Sequence, residues 1–139
     1  MAFQEIALII AFWLYFANAI LLICHEIESA YWKEWELFKM KGGITLFVIF
    51  HIPLLGLIFY GMIEFYLASI IGAIFSFVLS LGGIFAFSIH TYFIKKGNEE
   101  FTLPISKILL YGLLVISVLQ IIFTILAATV PIVVHCGLC

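Results

Sequence analysis

The stretch Gly43-Ile44-Thr45-Leu46-Phe47-Val48-Ile49-Phe50-His51-Ile52-Pro53-Leu54-Leu55-Gly56-Leu57-Ile58 is apolar almost throughout and holds one ionisable side chain, His51. Continued to Met62, it is long enough as a helix to cross a hydrocarbon core of ~30 Å. A titratable group inside such a span is costly, so it faces protein or a cavity and marks a functional site. His25 and His90 stand at the ends of neighbouring apolar runs. Whether these histidines meet is the question the sequence poses.

Composition fixes the class. Of 139 residues, 66% are hydrophobic and 10% charged, with a mean hydropathy of +1.31. A water-soluble fold of this size would leave too much apolar surface in water, so the chain reads as an integral membrane protein. Residues 1–139 form one membrane domain, because no polar stretch is long enough to fold alone. Every cation is Lys and every acid is Glu. Without Arg there is no bidentate clamp for phosphate or carboxylate, and with so few basic residues nucleic-acid binding is excluded.

Four apolar runs, at about 6–25, 44–62, 65–94 and 105–134, predict an all-α polytopic fold. Four transmembrane helices form a bundle, with a short amphipathic segment at the interface over about 26–41. The runs are unbroken rather than alternating, which argues against a β-barrel. Ala17-Asn18-Ala19 mimics a signal-peptide cleavage site, but the residues before the first run carry no positive charge and apolar residues continue past it, so this is a retained helix. Lys33, Lys39 and Lys41 lie between the first two runs, and Lys95, Lys96 and Lys107 around the link between the last two. The positive-inside rule therefore places those loops in the cytoplasm and both termini outside, in an inner or plasma membrane. On this topology His25, His51 and His90 fall in the cytoplasmic leaflet, with His51 ~10 Å deep at 1.5 Å per residue.

A helix continued past His25 puts Tyr31, Trp32, Trp35 and Phe38 on one apolar arc, with Glu28 in its middle. Glu26, Lys33 and Glu36 fall on the polar side, and Glu26 is expected to be solvated. His25 and Glu28, three apart, share a face with Asn18, and His-x-x-Glu is the spacing with which helical bundles offer an imidazole and a carboxylate to one metal.

The segment Cys24-His25-Glu26-Ile27-Glu28-Ser29 resembles the motif of a group of small, uncharacterised bacterial multi-pass membrane proteins named for His-x-x-Glu-Glu. Ser29 stands where that motif has its second Glu, and His90 with the loop Phe101-Thr102-Leu103-Pro104 best matches the group's later histidine. The resemblance implies a multi-helix membrane fold and no established activity.

Each feature has a plainer reading. His25 and His90 can be interfacial imidazoles touching headgroups or backbone carbonyls, and His51 can make a helix–helix hydrogen bond of ~0.6 kcal/mol. Tyr31, Trp32 and Trp35 are most simply an interfacial belt. Ser69, Gly72, Ser76, Ser80 and Gly83 recur at spacings of three and four and read as a close-packing face. Ser117, Gln120, Thr124 and Ala128 form a matching line, with Gln120 placed for an interhelical hydrogen bond. Pro53 and Pro131 interrupt their helices' hydrogen-bond ladders. The terminal His135-Cys136-Gly137-Leu138-Cys139 offers a C-x-x-C pair for oxidation or metal binding, and Cys24 reads as a small apolar residue.

The functional expectation is a metal site in the cytoplasmic leaflet made of His25, Glu28, His51 and His90. Such a donor set suits Zn²⁺, with Fe or Mn less favoured. Were Glu28 to stand off as general base, a metal-bound water would be set up to hydrolyse a lipid-like substrate, with membrane lipids as the surroundings. The alternatives are an ion, proton or small-molecule transporter or channel formed by a homo-oligomer, a haem or quinone protein, and a non-catalytic interaction protein.

Overall fold

The computed structural model describes residues 3–128. Five helices follow one another: α1 (Phe3–Tyr31), α2 (Glu34–Leu37), α3 (Gly43–Tyr66), α4 (Ile70–Lys95) and α5 (Pro104–Ala128). All but α2 are long and apolar enough to cross a membrane. Among the described residues there is no strand. The long helices form a bundle in which α1 packs on α5, α5 on α4 and α4 on α3.

The element bounds differ from the sequence expectation where polar contacts override apolar continuity. The first helix runs on to Tyr31, so the first part of the 26–41 segment is a continuation of the membrane span and α2 is a single turn. The break between α3 and α4 falls at residues 67–69, inside the third apolar run. Ala68 adopts a left-handed conformation there (φ 54°). Ser69 then caps α4: its Oγ accepts from Gly72 N at 2.9 Å and donates to Glu64 Oε2 at 2.6 Å. Hydrogen bonds set that corner, and hydropathy alone does not reveal it. The part of the fourth run past Ala128, with Pro131, His135, Cys136 and Cys139, lies outside the described residues.

Lipid tails are as apolar as leucine, so a membrane bundle gains little by hiding large apolar side chains. The side chains are distributed accordingly. On α1 the inward face is Ala7, Ala11, Tyr15, Asn18, Ala19 and Leu22, while Trp13, Phe16 and Ile20 point outward. On α4 the stripe Gly72, Ser76, Ser80 and Gly83 is buried, as its spacing predicts. Close approach explains the glycines. A Cβ on Gly72 would stand 2.2 Å from the Phe65 backbone nitrogen, and one on Gly83 2.3 Å from Ser117 Oγ.

Polar groups hold the centre together. Asn18 Nδ2 donates to Gln120 Oε1 at 2.7 Å and to Ser117 Oγ at 3.1 Å, joining α1 to α5. Gln120 Nε2 donates to Ser76 O at 3.1 Å and Ser76 Oγ at 2.9 Å, and the Ser76 and Thr124 hydroxyls are hydrogen-bonded at 2.7 Å, joining α5 to α4. Tyr15 Oη donates to Ile58 O at 2.9 Å and ties α1 to α3.

The α3–α4 contact leaves no room at Gly72, whereas a Cβ on Gly56 meets nothing within 4 Å. Gly72→Ala is expected to lower stability by about 1–3 kcal/mol through forced backbone displacement. Gly56→Ala should be neutral or stabilising by up to about 1 kcal/mol through helix propensity. Unfolding of the purified variants in mixed detergent–SDS micelles measures the contrast, and equal effects of the two would show that the close approach is not required.

Candidate functional site

The site grows out of the last two turns of α1. His25 and Ser29, one turn apart, share the inward stripe with Leu22 and are buried. Glu26, the next residue round the helix, faces α3, and Glu28 faces α5. The chain then reverses at Lys33, whose backbone is left-handed (φ 52°), and α2 turns back so that Glu34 reaches α4. There His90 Nε2 stands 3.3 Å from Glu34 Oε1.

His25 and His90 meet edge to face, with ring centroids 4.7 Å apart. Phe101, in the link between α4 and α5, covers both. Its ring centroid lies 3.9 Å from that of His90 and 5.6 Å from that of His25. Phe101 is only 1% exposed and adopts a left-handed backbone (φ 62°). A bulky residue holds that conformation at a cost of about 1–3 kcal/mol, which its burial against the two imidazoles offsets. Each imidazole is 1% exposed and Ser29 0%. Their polar atoms are nonetheless short of partners: His25 Nδ1, Ser29 Oγ and both ring nitrogens of His90 accept and donate no hydrogen bond. The His90–Glu34 contact is thus an ion-pair distance without hydrogen-bond alignment.

Burial works to raise the Glu34 carboxyl, but its contacts with His90 and Ser29 and the nearby imidazoles of His90 and His25 outweigh this and hold it below the ordinary glutamate value. Glu34 is therefore a carboxylate at neutral pH.

His51 belongs to a second group. Its Nε2 lies 2.7 Å from Glu26 Oε2 and its Nδ1 2.6 Å from Phe47 O, with the ring stacked on Phe47 at 4.0 Å between centroids. Glu26, expected to be solvated, is instead part-buried and bonded across to α3, its side chain 23% exposed. The Phe47 carbonyl only accepts, so Nδ1 must donate. The other proton lies between Nε2 and Glu26, as an imidazolium–carboxylate or as a neutral pair. Either way both ring nitrogens are engaged.

Glu28 faces inward, as its place on the apolar arc predicts, but towards α5. It accepts from Ser106 Oγ in a very short hydrogen bond and from Trp32 Nε1 at 3.3 Å. Of the expected set His25, Glu28, His51 and His90, the fold thus brings His25 and His90 together and gives the other two their own partners. Among the described residues no group of three or more His, Cys, Asp or Glu side chains is arranged to hold a metal ion. A ligand histidine must offer a free lone pair, and His51 has none to offer in these contacts. The four residues therefore do not fit a shared Zn²⁺ in this arrangement. Glu34, Glu26 and Ser29 are the members of the site that sequence reasoning did not select. The only signal for Ser29 was its helical phase with His25. For Glu34 there was none, because the reversal at Lys33 breaks the phase.

Beside the His25–His90 pair lies a cleft of about 280 Å³ between α1, α3 and α4. Its walls are apolar, with Leu22, Ile58, Leu79 and Ala86 among them, and Tyr15 stands towards the bundle centre. One end alone is polar, formed by His25, Glu26, Glu34 and His90. The titratable lining lies towards the end of the bundle where the lysine-bearing links are, and the rest of the lining is mostly apolar.

The chain belongs to the family of unknown function DUF6713, whose family model matches residues 11–127. No curated protein and no solved structure matches it.

The His51–Glu26 pair makes a separable prediction. Glu26→Leu or His51→Leu alone leaves a part-buried polar partner unmatched and should cost about 1–3 kcal/mol. The double variant should cost less than the sum of the two, with a coupling of about 1 kcal/mol or more in a double-mutant cycle. Strict additivity of the unfolding free energies would show that the pair contributes nothing.

Proposed function

We propose that this integral membrane protein binds an amphiphilic, lipid-like molecule in the cleft between α1, α3 and α4. The molecule's tail lies along the apolar walls and its head lies at the His25–His90–Glu34 end, in the leaflet that the positive-inside rule makes cytoplasmic. The single observation that carries the reading is the polarity of the cleft. Its titratable lining, His25, Glu26, Glu34 and His90, gathers at one end, and the remaining lining is apolar apart from the Tyr15 hydroxyl and the Gly82 backbone. A water-filled transport path would favour polar groups along its length. A metal-dependent hydrolase at this place would need His51 and Glu28 to leave Glu26 and Ser106. Binding leaves both of those contacts in place. The unpartnered nitrogens of His25 and His90 supply hydrogen-bonding capacity that a head group would use once the imidazoles turn towards it.

Gly82 offers a direct test, since it lines the cleft and a Cβ there meets nothing within 4 Å. Gly82→Leu should fill the slot from within α4 while removing a helix glycine, so the fold is expected to be at least as stable as the parent. Protein purified in mild detergent should carry a co-purifying amphiphile, at up to one per chain, detectable by native mass spectrometry. The Gly82→Leu variant should lose most of it and unfold no more easily. Equal retention in both proteins would remove the cleft as the binding place.

A further inference from the structure

Given an amphiphile in the cleft as proposed above, we infer that its head is a primary ammonium group, held by Glu34 and the imidazoles of His25 and His90. The lining contains two carboxylates, Glu26 and Glu34, and neither Lys nor Arg. Glu26 has its own partner in His51, at 2.7 Å. Glu34 has weaker ones: His90 at 3.3 Å, outside hydrogen-bond alignment, and the Ser29 hydroxyl, neither of them a fixed cation. An ionised carboxylate at the buried end of an apolar slot calls for a positive charge.

The unpartnered atoms specify the shape of that charge. A neutral imidazole has one acceptor nitrogen, and a serine hydroxyl has acceptor lone pairs. His25 Nδ1 and the His90 nitrogens are buried without hydrogen bonds beside Glu34, which Ser29 contacts from outside the cleft lining. A primary ammonium carries three donors and no acceptor, so one head group can satisfy a carboxylate oxygen and the two imidazoles together. A hydroxyl head has one donor and no charge. A carboxylate or phosphate head would face Glu34 and Glu26 with no lining Lys or Arg to offset the repulsion. Phe101 seals the imidazoles from the side of the α4–α5 link, which keeps competing water from them.

Two sources carry this chemistry: a free long-chain amine, and an ethanolamine lipid whose phosphate would have to lie outside the carboxylate pair. Equilibrium binding of radiolabelled dodecylamine to the full chain in detergent measures the site. The specific signal is the saturable fraction that Gly82→Leu abolishes. Unlabelled dodecylamine is expected to compete at least about tenfold better than dodecanol or dodecanoate. Glu34→Gln should weaken dodecylamine about tenfold and leave dodecanol unchanged, since only the charge partner is lost. Ser29→Ala, which removes a contact that positions Glu34, should show the same pattern with a smaller change and stands in should Glu34→Gln fail to fold. Competition by lysophosphatidylethanolamine equal to that of dodecylamine would identify a lipid headgroup as the source, and its failure beside strong dodecylamine binding a free amine. Both outcomes support the ammonium. Dodecanol or dodecanoate competing as well as the amine would overturn the ammonium head while leaving the cleft a binding site. Absence of any saturable, Gly82→Leu-sensitive binding for all of these amphiphiles would overturn the binding reading itself.

Discussion

Hydrocarbon offers no hydrogen-bond partners, and that constraint shapes everything else in this bundle. A polar side chain inside the membrane must find its partner on another helix, or remain unmatched. Asn18, Gln120, Ser76 and Thr124 solve the problem among themselves and so fix how α1, α4 and α5 sit against one another. Small residues on α4 make the solution possible, because only a narrow helix surface lets these short side chains reach across. The packed interior thus sets a polar network beside a hydrophobic cluster that includes Ala11, Leu79 and Leu113, under an apolar exterior.

At the lysine-bearing end the same constraint is met incompletely, and the contrast gives the site its character. The centre of the bundle leaves Asn18 Oδ1 as its unmatched polar atom, whereas around His25 and His90 the unmatched atoms cluster on adjoining, fully buried side chains. Rings packed within 5 Å of one another, covered by a strained Phe101, form an ordered arrangement rather than a loose periphery. Polar capacity held in place and left unspent, next to an apolar slot, is what the proposed binding of an amphiphile would draw on.

Hydropathy and spacing carried the architecture far. The four spans, the buried face of α4 and the role of Gln120 between helices were all legible, because each depends on the composition of one helix or on its own periodicity. Depth placed His25, His51 and His90 in one leaflet, but which two of them meet was not legible from it. What periodicity cannot supply is the identity of the neighbour. Glu28 was correctly read as inward, yet inward at that position means α5 and Ser106, away from the histidines. Glu26 looked solvent-facing on the helix wheel because the wheel does not know that α3 occupies that side. Glu34 was invisible for a different reason: the reversal that delivers it is made by Lys33, a residue type with no preference for a left-handed backbone, so no turn signal marks it.

The acids that follow His25 leave one short stretch for three different helices: Glu26 to α3, Glu28 to α5 and, after the reversal, Glu34 to α4. The first two directions are set by steps of about 100° round the end of α1, and the third by the reversal at Lys33. Substitutions there act one contact at a time. An inserted or deleted residue before Ser29 would instead rotate every later side chain together, re-aiming the carboxylates at the wrong neighbours in a single event. The spacing from His25 to Glu34 therefore behaves as a reading frame in three dimensions, in which length is held more tightly than the identity of any one residue within it.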